Sequence, residues 1–294
     1  MSATPRILVT GATGRLGQLL VPRLLARGAT VRALTRDAAR ADALRAQGTE
    51  AAVADFDDAA ALRRALREVS HLFLLSPITP TLAAQQIAVI EAAAATGVQR
   101  IVKLSGSHWT VAPPGRSLSG DAHGEIEAAL ARMGIAHRVL RPNAWLQVML
   151  ARVAAELAAG DVLHAPPGDP RVAFIDARDI ADVAVEALFE QNSAPGASPA
   201  PWVLTGATAV GYDDIARIAS VLTGRAIVAT PLSAQAQQQR QAANARSPYI
   251  ARVHAQFAEL IAAGEAAPVT GTVADVLGRP PRTVEAFLAE TLRR

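Results

Sequence analysis

The chain has 294 residues, of which 51% are hydrophobic, so it can bury a large apolar core without cross-links. It contains no cysteine, which excludes disulfides, thiol catalysis and cysteine metal sites, and we expect no metal. The net charge of +3 comes almost entirely from arginines interspersed with acidic residues, a pattern that favours a solvated surface over a nucleic-acid interface.

The first predicted strand is the apolar segment Arg6–Thr10, and a glycine-rich turn follows it before a helix at about Gly17–Ala26. Such a turn presents backbone N–H groups and the positive end of a helix, which suits a pyrophosphate, although an ordinary tight turn is the alternative. Glycine permits the tight turn, the approach of the backbone to phosphates and close helix packing. The turn therefore predicts a dinucleotide site, formed by Gly11, Thr13, Gly14, Arg15, Leu16 and Gly17.

Strands and helices then alternate, which predicts an α/β fold with a Rossmann-type, doubly wound parallel sheet. The further predicted strands are Thr30–Leu34, Glu50–Ala54, His71–Leu75, Arg100–Leu104 and His137–Arg141. The further predicted helices are Ala38–Gln47, Asp58–Glu68, Thr81–Thr96 and Asp121–Met133.

After Pro142 the pattern becomes irregular, and we expect a smaller, discontinuous substrate lid. The first elements predicted after Pro142 are a helix at Trp145–Ala159, a Pro/Gly-rich stretch at His164–Pro170, a strand at Val172–Ile175 and a helix ending near Glu190. A loop at Gln191–Pro201 follows, and then a short strand at Val203–Leu204, a helix at Tyr212–Leu222 and a strand at Ala226–Thr230. The tail is predicted to be helical, with breaks at Pro248, Pro268 and Pro280. Residues 1–144 are expected to form the NAD(P)-binding core, with 171–204 adding sheet and helix. Residues 145–170 and 205–294 are expected to form the lid.

The end of the second strand favours NADP(H), with NAD(H) possible. Arg36 stands where an arginine pairs with the 2′-phosphate, and Arg15 can approach the same phosphate from the turn. The alternative is a surface Arg36 beside an Asp37 that starts the next helix. By position, Asp55 and Phe56 after the third strand border the adenine, and Ser76 and Pro77 after the fourth lie beside the nicotinamide ribose.

Several motifs resemble the NmrA-like group of atypical short-chain dehydrogenases/reductases, over nearly the whole chain. They are the turn Thr10–Gly17, Leu34–Arg36, Lys103–Gly106, His123–Glu127, Leu140–Asn143, Phe174–Ala181 and Leu277–Pro280. The resemblance is strongest to bacterial members that reduce quinones, azo dyes and triphenylmethane dyes with NADPH. It implies an NADPH-dependent cytoplasmic oxidoreductase.

Conventional members of that superfamily use a Tyr-x-x-x-Lys pair, which this chain lacks. At the corresponding place stand His123 and Glu127, four residues apart and so on one helix face. We expect His123 to position the acceptor or supply a proton, with Glu127 orienting it, unless the two merely form a polar helix face. Ser105 ends the fifth strand, where the superfamily keeps a substrate-facing hydroxyl. Lys103 interrupts a buried strand, and its role is left open.

An apolar pocket for a flat aromatic acceptor is predicted from the long loop Ser107–Gly120 and the residues after Pro142. Its candidate residues are Trp109, Trp145 and Met149, with core packing as the more common role of such aromatic residues. Asn143 resembles the family's lid-facing asparagine and joins them, although a role in a turn fits it equally well.

The main functional hypothesis is therefore a reductase of conjugated electrophiles. The alternative is a non-catalytic NAD(P)-binding redox sensor that acts through protein partners, for which loss of the Tyr/Lys pair is also typical. The first strand begins by about Arg6 and no apolar stretch is long enough to span a bilayer, so we expect neither a signal peptide nor a membrane partner. The physiological substrate and the choice between monomer and homodimer are not predicted.

Overall fold

The computed structural model describes residues 4–190, 199–243 and 245–293. Within them the chain forms two compact units, and the first comprises Met1–Gly106, Asp121–Arg141 and Ile180–Trp202. The second comprises Ser107–Gly120, Pro142–Asp179 and Val203–Arg294. Residues 107–120, 142–144, 171–179 and 203–204, which we expected to accompany the core, thus belong to the second unit. The assignment of the two units to cofactor and substrate binding stays a prediction.

Strands and helices alternate up to residue 142, as the hydrophobic pattern predicts. The strands are β1 (Arg6–Val9), β2 (Thr30–Thr35), β3 (Glu50–Val53), β4 (His71–Leu74), β5 (Arg100–Leu104) and β6 (Ala136–Pro142). The helices are α1 (Arg15–Ala26), α2 (Ala38–Ala46), α3 (Ala59–Ala65), α4 (Leu82–Ala95), α5 (His108–Val111) and α6 (Leu118–Arg132).

The remaining elements are shorter, and most of them belong to the second unit. The helices are α7 (Leu146–Met149), α8 (Val153–Ala159), α9 (Ala177–Phe189), α10 (Tyr212–Thr223), α11 (Ala234–Ala243), α12 (Pro248–Ala262), α13 (Thr272–Leu277) and α14 (Val284–Thr291). The strands are β7 (Val162–Ala165), β8 (Trp202–Leu204) and β9 (Val228–Pro231).

The main sheet has seven strands in the order β3-β2-β1-β4-β5-β6-β8, and β1 to β6 pair in parallel. This confirms the doubly wound α/β fold. Parallel pairing places the carboxyl ends of β1, β4 and β5 side by side, and the order reverses direction between β1 and β4. Ligands of such sheets bind beyond the carboxyl ends of the strands at this switch point.

Each unit has its own apolar core. In the first, side chains of the central strands pack with helices α3, α4 and α6, as in the cluster of Leu62, Leu72, Ile90, Ile101 and Ile126. In the second, Leu146, Leu163, Ile215, Ile261 and Leu288 join helices to β7. Within the described ranges, no helix is both long and apolar enough to cross a membrane.

Two predicted elements of the second half differ from the structure, and one strand was not predicted. Val172–Ile175 is not a strand, since Val172 and Ile175 each form only an isolated bridge and Ala173 N bonds to Ala266 O. The predicted helix Trp145–Ala159 is split into α7 and α8. A strand was missed at β7, which pairs in parallel with β9 in a separate two-stranded sheet. These short elements are stabilised by distant partners, which local patterns do not reveal.

The two long predicted loops have different outcomes. The loop Ser107–Gly120 contains the one-turn helix α5 and the first residues of α6, so it is more regular than expected. Most of the loop Gln191–Pro201 lies outside the described residues.

The side chain of Thr10 joins the ends of β1 and β4 at the switch point. It is fully buried, and its Oγ1 accepts from Leu75 N at 2.7 Å. The same hydroxyl donates to the carbonyl oxygen of Leu75 at 2.8 Å, with Phe73 O as a second acceptor at 3.1 Å. One hydroxyl therefore satisfies backbone groups just beyond β4, where the parallel ladder ends.

Replacing Thr10 by Val tests this role. The isosteric change leaves buried backbone groups without a partner, so we expect a loss of about 1 to 3 kcal/mol in the free energy of unfolding, measured by urea denaturation. Thr10→Ser, which keeps the hydroxyl, is the control and should lower the free energy of unfolding by less. Equal losses in the two variants would contradict the role.

Candidate functional site

The glycine-rich turn between β1 and α1 has no room for side chains at its critical positions. Gly11 adopts a φ of +65°, and Gly14 N donates to Gly11 O at 2.9 Å. A Cβ on Gly17 would lie 2.3 Å from Gly11 O and 2.4 Å from Ala12 O, so α1 packs on the turn only because residue 17 is glycine.

The N-terminus of α1 is suited to an anion. Its N-cap is Gly14 in an extended conformation, and no side chain of the described residues caps this end. The positive end of the helix is thus left to interact with a ligand's negative charge. Thr13 is half-buried and Arg15 exposed, whereas the Leu16 side chain is buried in the core, so Leu16 can offer only its backbone. This cradle fits the pyrophosphate of a dinucleotide.

Arg36 follows β2 directly and is exposed. Asp37, its neighbour, caps α2 by accepting from Ala39 N at 2.9 Å and pairs with Arg40 at 3.3 Å. Among the described residues no hydrogen bond or ion pair engages the Arg36 guanidinium. It is therefore available to a phosphate at the edge where β2 ends.

The other predicted cofactor residues lie at the same carboxyl edge. Asp55 Oδ1 accepts from Asp57 N at 3.1 Å, and Phe56 packs partly against the core of the first unit. Ser76 Oγ accepts from Gln86 Nε2 at 2.8 Å, which leaves the Ser76 hydroxyl proton to donate. Pro77, the next residue, is exposed.

Sequence reasoning did not single out Gln86. Its side chain is fully buried on α4, and its Oε1 has no partner within the described residues. The signal was a polar residue on the core face of an otherwise apolar helix.

Lys103 and His123 form a buried pair. Lys103 is fully buried in β5, and its Nζ lies 3.2 Å from Nδ1 of His123 on α6 and donates to Leu104 O. Burial lowers the pKa of Lys103 to about 7, an effect that the negative charge of Glu127 partly opposes. Burial, followed by the positive charges of Lys103 and Arg141, lowers the pKa of His123 well below its usual value. His123 is therefore a neutral imidazole at neutral pH.

Glu127 has partners other than His123. It accepts from Ser105 Oγ at 2.5 Å and from Arg141 Nε at 3.1 Å, and Arg141 Nη2 donates to its second oxygen. The expectation that Glu127 orients His123 is therefore wrong, because Lys103 takes that place. Ser105 at the end of β5 is hydrogen-bonded to Glu127, and His123 lies one helical turn before Glu127 on α6. The structure adds Lys103 and Arg141 to them.

Lys103 was visible in the sequence as the chain's only lysine, placed inside an apolar strand. Its contact with His123 could not be predicted, because the sequence distance between β5 and α6 does not tell which of their side chains meet. Arg141 lay in a recognised motif without an assigned role.

In the second unit, Trp109 and Asn143 are hydrogen-bonded to each other. Trp109 Nε1 donates to Asn143 Oδ1 at 2.8 Å, and Asn143 Nδ2 donates to Ala266 O at 2.9 Å. Both side chains are buried, and Trp109 also contacts the Phe257 ring edge-on at 5.5 Å. These contacts show core packing.

Trp145 is half-buried and Met149 is 42% exposed. The pocket role of these four residues stays a prediction. The described ranges contain no group of His, Asp and Glu that could hold a metal ion.

A doubly wound parallel sheet with a glycine-lined turn after its first strand defines a Rossmann-type dinucleotide-binding protein. The NmrA-like family model matches residues 3–288, and the chain belongs to this family. It is 31% identical over 281 residues to the NAD(P)H azoreductase of Xenophilus azovorans, covering 96% of each chain. It is 36% identical over 187 residues to quinone oxidoreductase 2 of Escherichia coli strain K12, covering 63% of this chain and 64% of the other.

A similar solved structure is the NADPH-dependent quinone oxidoreductase of Escherichia coli in complex with NADPH. It superposes with a TM-score of 0.84 at 28% identity, covering 98% of this chain and all of the other.

Gly17→Ala tests the cradle. The added Cβ meets backbone oxygens, which cannot move without displacing α1, so we expect NADPH to bind about tenfold or more weakly, since one lost charge-assisted hydrogen bond costs about 1.5 to 3 kcal/mol. Titration of NADPH fluorescence measures the affinity. Gly124→Ala in α6 is the matched control, because its Cβ would meet nothing within 4 Å. Unchanged affinity in Gly17→Ala would exclude this cradle.

Proposed function

We propose that this protein is an NADPH-dependent reductase that transfers a hydride to a conjugated electrophile of the quinone, azo-dye or triphenylmethane-dye type. The observation that carries the proposal is the glycine-rich cradle at residues 11–17, in which a Cβ on Gly17 would clash with the turn, in a chain that is 31% identical to an NAD(P)H azoreductase along 96% of its length. In the proposed assignment, the turn holds the pyrophosphate, Asp55 and Phe56 border the adenine, and Ser76 and Pro77 lie beside the nicotinamide ribose.

The nicotinamide, when bound, supplies the hydride. The protein's own residues then have to orient the acceptor, exclude water and handle a proton. Ser105, His123 and Glu127 at the end of β5 are the candidates for this work, and His123 is the one that can give up a proton. Trp109, Asn143, Trp145 and Met149 are proposed for the acceptor's surroundings.

The chemistry of the acceptors explains why a Tyr/Lys pair is dispensable. Neither tyrosine is followed by lysine four residues on, since Ala216 and Val253 occupy those places. A simple ketone needs a strong proton donor because hydride addition concentrates charge on one oxygen. A conjugated acceptor spreads the incoming charge over several atoms, so a weaker donor is sufficient.

The names of related proteins support a conjugated acceptor. Besides the azoreductase and the quinone oxidoreductase, the chain is 33% identical over 287 residues to a (4-alkanoyl-5-oxo-2,5-dihydrofuran-3-yl)methyl phosphate reductase of Streptomyces griseus, covering 97% of each chain. Azo groups, quinones and acyl-substituted dihydrofuranones share an electrophilic double bond that is part of a conjugated system. We infer that this electronic feature defines the substrate class.

The preference for NADPH over NADH is proposed on Arg36. Its exposed guanidinium follows β2, and Asp37 is occupied by the α2 cap and by Arg40. Arg15 is the second candidate for the 2′-phosphate. Charge-assisted contacts from two guanidinium groups suit this dianion.

Turnover is tested by following NADPH oxidation with menadione, an azo dye and a cationic triphenylmethane dye. We expect turnover with at least one of them. Tight NADPH binding without turnover on any acceptor would contradict the reductase and favour the redox-sensor hypothesis. Sedimentation of the same protein separates monomer from homodimer.

Arg36→Ala tests the preference between the cofactors. We expect NADPH to bind about 10- to 100-fold more weakly, because charge-assisted hydrogen bonds to the 2′-phosphate are lost, while NADH affinity changes little. Arg45→Ala is the control, since Arg45 is an exposed arginine of the following helix, α2, that pairs with Asp42. Equal loss for both cofactors would show that Arg36 does not read the phosphate.

A further inference from the structure

The buried lysine of β5 determines which tautomer His123 adopts. An ammonium group can only donate, so Nδ1 of His123, 3.2 Å from Lys103 Nζ, has to accept. A neutral imidazole that accepts at Nδ1 carries its hydrogen on Nε2. Within the described residues no hydrogen bond is formed by His123 Nε2, so this N–H is left for a ligand.

Among the residues that the structure describes, none offers Lys103 a carboxylate in direct contact. Its Nζ donates to Leu104 O and faces His123, both neutral groups. Glu127 on α6 carries the nearby negative charge, but its oxygens bond to Ser105 and Arg141. Arg141 on β6 adds a positive charge that disfavours a second cation at His123. A fully buried ammonium in these surroundings gives up its proton more readily than an exposed lysine.

We propose that Lys103 and His123 form a two-residue proton relay, in which His123 is the catalytic acid that protonates the reduced acceptor and Lys103 holds its tautomer and replaces its proton. This inference rests on the proposed reductase function. The lowered pKa of Lys103, about 7, suits a proton donor near neutral pH.

The proton balance can be written for an azo acceptor. Once the N=N bond has taken up a hydride on one nitrogen, the other nitrogen carries a lone pair and a negative charge. The Nε2–H bond of His123 breaks and an N–H bond forms on the acceptor, while Nδ1 takes a proton from the Lys103 ammonium. His123 ends as the Nδ1–H tautomer and Lys103 as a neutral amine. Water then protonates Nε2, and the Nδ1 proton returns to Lys103.

Acceptors differ in their need for this proton. A cationic triphenylmethane dye becomes a neutral leuco dye by hydride uptake alone, since the hydride neutralises the central carbon. Hydride uptake by a neutral azo dye leaves a nitrogen anion, whose charge is partly delocalised into the aryl ring but which still requires a proton. A relay therefore matters for the azo dye and not for the cationic dye, whereas a merely structural role affects both equally.

The experiment compares the two dyes in the full-length protein and in the variants His123→Ala and Lys103→Met. We expect kcat for the azo dye to fall about 100-fold in each variant, the lower range for general acid catalysis, and kcat for the cationic dye to stay within about twofold. His137→Ala is the matched control: His137 is a buried histidine of β6 whose Nδ1 faces Ile135 O at 2.9 Å. This variant should leave kcat for both dyes unchanged.

The pH profile separates proton supply from positioning. In the unmodified protein kcat for the azo dye should decrease as pH rises through about 7, because the Lys103 ammonium is lost there. In Lys103→Met this decrease should disappear.

Nitrogen-15 NMR of the imidazoles tests the pair without cofactor or turnover. Below a pH of about 7, where Lys103 is an ammonium, we expect His123 as the Nε2–H tautomer in the unmodified protein and a mixture of tautomers in Lys103→Met. An Nδ1–H tautomer in the unmodified protein at that pH would overturn the relay.

The relay would also be overturned if the variants lost kcat equally for both dyes or for neither dye. Reduction of the cationic dye alone by the unmodified protein would overturn it as well. If only the azo dye is reduced, the pH profile of Lys103→Met decides. No turnover with either dye in the unmodified protein would instead reject the proposed function, while the NMR result still reports on the Lys103–His123 hydrogen bond.

Discussion

The hydroxyl of Thr10 lies at the junction on which the rest of the first unit depends. It joins the end of β1 to the residues after β4, where the order of the parallel sheet changes direction. On one side of this junction the chain enters the glycine-rich turn, and on the other it reaches Ser76. Because parallel strands end at a common edge, the register of β1, β4 and β5 also places Ser105 there. One buried hydrogen-bonded side chain thus helps to define the edge at which all candidate cofactor residues lie.

The buried polar groups beside this edge lower the stability of the folded state, so apolar packing does not account for their presence. Lys103 contacts no carboxylate of the described part of the chain and lies in a strand whose five residues are all buried, so its charged form disfavours folding. The neighbouring ion pair of Glu127 and Arg141 is satisfied by two hydrogen bonds and by Ser105. Residues that lower the stability of the fold are expected at functional sites, since favourable interactions elsewhere in the structure compensate for them.

Much of the first half was predictable because its patterns are local. The strands Arg100–Leu104 and Thr30–Thr35 are apolar segments bounded by turn residues, and the spacing of Gly11, Gly14 and Gly17 is a property of consecutive residues. The second half was less predictable. Val172 has a single bridging partner, Val210, far along the chain, and β7 exists only because β9 pairs with it.

The sequence by itself determined the family, the glycine-rich cradle, the missing Tyr/Lys pair and the presence of His123 and Glu127 on one helix face. These features depend on residue identity and on spacing within one element. Only the tertiary structure decided their partners: Lys103 contacts His123, and Glu127 contacts Ser105 and Arg141. Hydrogen bonds between different elements depend on sheet register and helix rotation, which are set by the packing of the whole core and not by any local pattern.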